Sequence, residues 1–156
     1  MKPVNRATAE LDELGIEYEV RRHGRVGSLV EAAAARGVEA SHLVKTMVVR
    51  VAEGNYRLVM VPGDSVISWP KLRELLGVSR MTMAGADEAR EVTGYERGTI
   101  TPFGAPKALE VIVDERVVGE TISVGGGEHG MGITISADDL IKAKSATVAA
   151  VTEPAY

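Results

Sequence analysis

The sequence contains no cysteine, and this absence removes several classes of active site at once. Without thiols the chain can form no disulfide, carry no thiolate nucleophile and hold no cysteine-based zinc or iron–sulfur centre. Three catalytic motifs are also missing, namely a GxxxxGK[ST] phosphate loop, an HExxH zinc helix and a GxSxG nucleophile elbow. The three histidines, at positions 23, 42 and 129, have no metal-ligand spacing. These absences disfavour a metal-dependent hydrolase.

Long apolar runs, aromatic residues and excess positive charge are scarce as well. No apolar run approaches the length of a membrane span and the first residues do not resemble a signal peptide, so we expect a cytoplasmic protein with no membrane partner. The formal net charge of −4 disfavours a protein that holds DNA or other long nucleic acid through many phosphates, although a local basic patch could meet one nucleic-acid end. With one Trp and one Phe, base stacking would be a minor term.

What is present is an alternation of helical and strand periodicities over 156 residues, which we interpret as a single domain at 1–156. Ser28 and Glu31 are predicted to form a capping box. Apolar spacing and turn signals predict helices beginning near residues 4, 28, 68, 86 and 136, and strands at 17–21, 43–52, 56–61, about 81, 109–113, 121–124, 132–136 and 147–151. This mixture of hairpins and helices indicates an α+β fold with a mixed, mostly antiparallel sheet and helices packed on it.

Lys45 enters an apolar strand, in the run Leu-Val-Lys-Thr-Met-Val-Val at 43–49. One interpretation is an edge lysine that blunts strand pairing or extends its ammonium to the surface, and sequence physics alone favours it. The other is a cation at the mouth of a pocket, where it would hold a phosphate or a carboxylate.

A second unusual stretch lies at 93–104, with the sequence Thr-Gly-Tyr-Glu-Arg-Gly-Thr-Ile-Thr-Pro-Phe-Gly. It could be an ordinary long surface loop. Its glycines and proline, however, fix an unusual backbone, and such a backbone can direct bare amides at a ligand. That is the geometry that a developing oxyanion needs.

Together these two stretches resemble the YbaK/aminoacyl-tRNA-synthetase-associated domain family, which includes the insertion (editing) domain of bacterial prolyl-tRNA synthetase. The resemblance runs from about Tyr18 to about Lys142, with the elements in the same order. Its most specific marks are the strand lysine, the Val-Pro-Gly-Asp turn at 61–64, and the loop with its GxxxP pattern from Gly98 to Pro102. Val-Asp at 113–114, the glycine run at 125–127 and Ser-Ala-Asp-Asp-Leu at 136–140 agree as well.

The resemblance implies a barrel-like mixed sheet, no metal or organic cofactor, and a trans-editing deacylase that hydrolyses the ester of mischarged tRNA, often Cys or Ala on a proline tRNA. Expected partners are the acceptor end of that tRNA and, in addition, prolyl-tRNA synthetase. Lys45 would orient the acceptor end through a phosphate near the terminal adenosine. The loop backbone would frame the substrate carbonyl, and two glycines would form the opposite wall. These wall residues are Gly98, Thr99, Ile100, Thr101, Pro102, Gly125 and Gly126.

Some positions depart from the family pattern, and they bear on substrate size and local charge. Relatives often carry two glycines where this chain has Gly98 and Thr99, and often a serine at the position of Gly125. Glu128 and His129 stand where basic residues are frequent. His129 is either a proton-transfer group that contacts substrate or a solvated loop histidine.

A non-catalytic module that binds tRNA, a synthetase or a nucleotide-like ligand is the alternative function. The acidic net charge slightly favours this alternative, whereas Lys45 and the GxxxP loop favour the enzyme. Asp64 and Asp114 are interpreted as turn residues, and Trp69 as an anchor at a helix start.

Overall fold

The computed structural model describes residues 4–106 and 108–156, which form five α-helices and ten β-strands. All five helices predicted from the sequence are present. In chain order the elements are α1 (Arg6–Leu14), β1 (Tyr18–Arg22), α2 (Leu29–Ala35), β2 (Val44–Ala52), β3 (Asn55–Pro62), β4 (Ser65–Ile67), α3 (Trp69–Leu76), β5 (Thr82–Met83), α4 (Ala86–Thr93), β6 (Glu110–Asp114), β7 (Thr121–Gly125), β8 (Met131–Ser136), α5 (Ala137–Lys144), β9 (Thr147–Ala149) and β10 (Thr152–Pro154).

A five-stranded sheet with the order β5–β2–β3–β6–β9 forms the centre of the fold. In it β2 pairs antiparallel with β3 and β5, whereas β6 pairs parallel with β3 and β9. A three-stranded antiparallel sheet has the order β1–β8–β7, and β4 pairs with β10. A parallel bridge between Leu43 and Ser123 joins the start of β2 to β7, so that the two larger sheets meet at one corner. The predicted α+β class with a mixed, mostly antiparallel sheet is therefore confirmed.

Both faces of the five-stranded sheet are buried, because the side chains of β3 alternate between two hydrophobic cores. Leu58 and Met60 contact the larger core, which α1, α5 and the three-stranded sheet complete. Val59 and Val61 contact the smaller core, together with Leu72 of α3. A strand that is buried on both faces has a continuous apolar sequence, and this explains the run at 58–62.

Of the two hydrogen bonds predicted for the capping box at the start of α2, one is present and the other is not. The Ser28 hydroxyl accepts a hydrogen bond from the Glu31 amide at 3.1 Å, as a helix cap should. The predicted return bond from the Ser28 amide to the Glu31 carboxylate is wrong. Glu31 instead accepts from the Gly27 amide at 2.8 Å, because its side chain is long enough to reach one residue further back.

The strand predicted at 147–151 is present but shorter, since β9 ends at Ala149 and a further short strand, β10, begins at Thr152. The break lies at Val151, whose amide donates to Asp114 Oδ1 at 3.1 Å and whose carbonyl accepts from the Ser68 amide at 2.8 Å. Asp114 is only 1% exposed and also accepts from the Arg116 amide at 3.3 Å. The Asp114 carboxylate therefore joins two distant segments in addition to capping a turn. The chain that follows Val151 pairs with β4, a strand the sequence does not predict.

We expect Asp114→Ala to lower the free energy of unfolding by about 1–3 kcal/mol, because the Val151 amide would stay buried without its acceptor. Urea denaturation measures the change. Asp64→Ala is the matched control, since it removes an aspartate whose pair with Arg116 (3.1 Å) is solvent-exposed, a loss of about 0–1 kcal/mol. Equal losses in the two variants would contradict the role given to Asp114.

Candidate active site

A cleft of about 680 Å³ opens beside the first half of β2. The segment from β5 to α4 forms one wall, the 97–100 part of the GxxxP loop forms a second, and the end of β7 closes the corner. The lining residues are Arg36, Leu43, Val44, Lys45, Thr46, Met47, Val48, Met83, Ala84, Gly85, Ala86, Ala89, Arg97, Gly98, Ile100 and Gly125.

The cleft exists because β2 has a neighbour on one side along only part of its length. β5 pairs with Val49 and Arg50, and one further bond runs from the Ala84 amide to the Val48 carbonyl at 2.9 Å. Hydrogen-bonding direction alternates along an antiparallel strand, so the peptide N–H and C=O of Thr46 face the same side as those of Val48. β5 does not extend to Thr46, which instead lines the cleft.

Lys45 lies on this half-open stretch of β2. Its side chain is exposed, whereas its neighbours Val44 and Thr46 are buried. Within residues 4–106 and 108–156, no carboxylate lies within ion-pair distance of its ammonium. The lysine is thus both a residue beside an open strand edge and a cation that lines a cleft. The two interpretations drawn from the sequence, an edge lysine and a cation at a pocket, are therefore compatible.

Buried hydrogen bonds within the segment 95–103 fix the conformation of the GxxxP loop. The Tyr95 hydroxyl donates to the Phe103 carbonyl at 2.6 Å, and Phe103 is fully buried. The Thr99 amide and hydroxyl both donate to the Glu96 carbonyl, at 3.0 and 2.7 Å, which closes a turn around Gly98. Gly98 has a φ of +89°, a conformation that residues with a side chain rarely adopt.

Some amides of this loop have no acceptor and belong to residues of the cleft. The Thr99 amide is consumed by the turn, but those of Gly98 and Ile100 donate to no acceptor in the part of the chain that the structure describes. Both residues line the cleft. Because backbone amides in proteins normally have a partner, amides without one beside a cleft are candidates to bind an anionic oxygen.

Gly125 allows the loop to lie directly on β7. A Cβ atom at Gly125 would be 2.3 Å from the Ile100 carbonyl oxygen and 3.0 Å from that of Thr99. The neighbouring Gly127 amide donates to the Thr99 carbonyl at 2.9 Å, which fixes the loop in this position. The close approach explains why this strand ends in residues without side chains.

Several residues expected at the site lie elsewhere. Thr99 and Thr101 are buried in the loop, and Pro102 lines a separate cavity of about 320 Å³ beside α5. A Cβ at Gly126 would meet Met131, so this glycine serves the β7–β8 turn. The roles proposed for these four residues stay predictions.

His129 does not line the cleft. Its side chain is 71% exposed, and its Nε2 lies 3.0 Å from Glu96 Oε2. Its neighbour Glu128 is paired with Arg22 at 2.7 Å, and hydrogen bonds from Arg22 and then Asn5 hold the pKa of Glu128 below its usual value. The turn is therefore tied to other surface groups, and a catalytic role for His129 stays a prediction.

The charge of the cleft is opposite in sign to that of the whole chain. Arg36, Lys45 and Arg97 line it, and no aspartate, glutamate or histidine of the described residues does. Burial lowers the pKa of the Arg36 guanidinium, which nevertheless stays protonated at neutral pH. Sequence reasoning missed both arginines, because neither periodicity nor a local motif places them beside Lys45.

The apolar part of the cleft is formed by aliphatic side chains and methionines. They are Leu43, Val44, Met47, Val48, Met83, Ala84, Ala86, Ala89 and Ile100. Such a surface fits an uncharged group better than a charged one.

Metal-ligand clusters and membrane-spanning helices are both absent from the described residues. No group of three or more His, Asp or Glu side chains in them is arranged to hold a metal ion. No helix among them is both long and apolar enough to cross a membrane.

Comparisons with known proteins agree on one family. The sequence profile of the aminoacyl-tRNA editing domain matches residues 23–143. A prolyl-tRNA editing protein, ProX, of Acetoanaerobium sticklandii is 26% identical over 140 residues, which cover 86% of this chain and 85% of ProX. A proline–tRNA ligase of Bacillus licheniformis is 30% identical over 117 residues, 72% of this chain, and the match spans only 20% of the ligase.

The fold leads to the same relatives. The crystal structure of a proposed trans-editing enzyme for prolyl-tRNA synthetase superposes with a TM-score of 0.85 at 26% identity, over 95% of both chains. Residues 23–143 include the cleft with Lys45, the GxxxP loop and Gly125. The chain belongs to the aminoacyl-tRNA editing domain family.

Proposed function

We propose that this protein is a trans-editing deacylase that hydrolyses the ester of mischarged tRNA, with Cys or Ala on a proline tRNA as its substrates. The observation that carries the proposal is the cleft in which Lys45 shares a wall with Gly98, Ile100 and Gly125. The similarity to ProX, which extends over 85% of that protein, supports action in trans.

The charges and surfaces of the cleft fit an aminoacylated RNA end. Lys45 suits a phosphate near the terminal nucleotide, because cations dominate the affinity of proteins for nucleic-acid backbones. The apolar wall suits the side chain of a small amino acid.

The reaction needs a water, an oxyanion site and a route for one proton. Water adds to the ester carbonyl, the bond to the ribose oxygen breaks, and that oxygen receives the proton. The free amides of Gly98 and Ile100 stabilise the oxyanion, an effect of about 3 kcal/mol per donor. Since no carboxylate or imidazole of the described residues lines the cleft, catalysis rests on positioning and on a group of the substrate, either the neighbouring ribose hydroxyl or a cysteinyl thiol.

Lys45→Ala should lower kcat/KM for the preferred mischarged tRNA by about 100-fold or more, since small losses of positioning have effects of that size. The measurement is deacylation of a panel that includes Cys-tRNA and Ala-tRNA on the proline acceptor, with and without prolyl-tRNA synthetase. Lys142→Ala is the control, because this exposed lysine of α5 lies outside the cleft.

Full activity of Lys45→Ala would reject the role of the lysine. Failure of the wild type to hydrolyse any member of the panel, with or without the synthetase, would reject the deacylase and favour a tRNA-binding module of the same fold.

Gly125→Ala should reduce kcat about 10-fold or more while leaving the protein folded. The added Cβ would displace the Ile100 carbonyl, and with it the amides proposed for the oxyanion. Gly24→Ala is the control, because a Cβ there would meet nothing within 4 Å. Single-turnover rates and circular dichroism separate the two effects. An unchanged kcat in a folded Gly125→Ala protein would contradict the proposed oxyanion site.

We expect EDTA to leave the deacylation rate unchanged, because the described side chains that line the cleft include no metal ligands of the carboxylate, imidazole or thiolate type. The rate is measured after dialysis against the chelator and again after divalent cations are restored. A loss that zinc or magnesium reverses would overturn metal independence without affecting the assignment of the substrate.

A further inference from the structure

Arg36 is the half-buried arginine of the cleft, and the roles proposed above do not use it. It follows the last residue of α2, and its own amide donates to Ala32 and Ala33 carbonyls at 3.1 Å, so its Cα is fixed by the helix end. Its side chain lies across the three-stranded sheet and lines the same cleft as Lys45.

Two contacts fix the direction of this side chain. Arg36 Nε donates to Nε2 of His23 at 3.3 Å, while Nδ1 of His23 lies 2.8 Å from the Gly24 carbonyl. The second contact requires a hydrogen on Nδ1, which leaves Nε2 free to accept from the arginine. The His23 amide in turn donates to the Gly130 carbonyl at 2.9 Å, so the backbone that carries the imidazole is attached to the β7–β8 turn.

A glycine provides the space that the arginine occupies. A Cβ atom at Gly132 would lie 2.7 Å from Arg36 Cδ, 2.8 Å from its Nε and 3.0 Å from the hydroxyl of Ser123. Gly132 pairs with Gly125 in the register of β7 and β8, so this part of the sheet carries no side chains on that face. The hydroxyl of Ser123 is buried and has no partner among the described residues, which makes the floor beside the arginine polar.

The terminal nitrogens of Arg36 have no acceptor within residues 4–106 and 108–156. Three other arginines show the alternative, a carboxylate partner: Arg22 pairs with Glu128 at 2.7 Å, Arg57 with Glu110 at 2.7 Å and Arg116 with Asp64 at 3.1 Å. A guanidinium that is partly desolvated, oriented through Nε and free at both terminal nitrogens presents a fork that matches the oxygens of a phosphate.

We propose that Arg36 is a second phosphate ligand of the cleft, which binds two oxygens of one phosphodiester in the single-stranded 3′ end of the tRNA. His23 and Gly132 are positioning residues that hold the fork in place. The proposal rests on the function proposed above in taking tRNA as the substrate, and it adds a contact that a purely positional role of Lys45 does not require.

The test compares wild type, Arg36→Gln, Arg36→Lys and the charge control Lys142→Gln. Arg36→Gln should raise KM for the preferred mischarged tRNA about tenfold with kcat nearly unchanged. It should also reduce the magnitude of the slope of log KM against log salt by about 0.7, the value for one contact to a single-stranded phosphate. Arg36→Lys should keep the slope and recover only part of the affinity, while Lys142→Gln should change neither.

Gly132→Ala provides an independent route to the same contact. Its Cβ should displace Arg36 and raise KM as Arg36→Gln does, and the double variant should be no worse than Arg36→Gln alone. A merely structural role for Arg36 would lower the unfolding free energy but leave the salt slope at the wild-type value, and that result would overturn the proposal.

A binding measurement that needs no hydrolysis tests this proposal separately from the proposed deacylase function. The same variants are titrated with an uncharged RNA hairpin that ends in single-stranded CCA, followed by fluorescence anisotropy. Weaker, less salt-dependent binding by Arg36→Gln supports the phosphate contact even if no mischarged tRNA is hydrolysed. Equal binding by Arg36→Gln and wild type overturns it, even where hydrolysis by the wild type is established.

Discussion

The incomplete pairing of β2 is the constraint on which the rest of the site depends. This strand is paired with β3 along its length, but β5 reaches only Val49 and Arg50 on its other side. A longer β5 would cover the peptide groups of Thr46 and fill the space beside Lys45. The fold thus keeps an open strand edge, which is normally a risk for aggregation, and encloses it with α4 and the GxxxP loop.

Two facing glycines allow the other walls to approach that edge. Gly125 and Gly132 are opposite each other on β7 and β8, and each admits a different close neighbour. At Gly125 the neighbour is the backbone of Ile100, and at Gly132 it is the side chain of Arg36. One cross-strand pair without side chains therefore positions both the amides proposed for the oxyanion and the cation proposed for a phosphate.

Most of the regular structure could be predicted from the sequence, because it depends on local signals. Ser28 and Ser136 cap helices, and apolar spacing locates α1 and α3. β4 and β10 could not be predicted, since each is three residues long and each has the other as its partner. The division of the final strand depends on a bond between Asp114 and Val151, residues 37 apart in the chain.

Residues of the site could be predicted only where they belong to a recognised motif. Lys45, Gly98, Ile100 and Gly125 were identified through a resemblance to a family, and all four line the cleft. Arg36 belongs to no such motif, and its position follows from contacts with His23 and Gly132, which are distant in sequence. Periodicity assigns a residue to a face of a helix or strand, but it cannot show which residues of other elements meet that face.

The cations of the cleft would also reconcile an acidic chain with the polyanionic substrate proposed for it. A net charge of −4 repels RNA at long range, and salt screens this repulsion beyond about 8–10 Å. Within that distance the cleft presents Arg36, Lys45 and Arg97 without a lining carboxylate among the described residues. An anion that enters the cleft therefore meets cations on more than one wall. For the RNA substrate proposed here, an acidic surface with a cationic cleft would disfavour nonspecific binding and favour a single, exposed end.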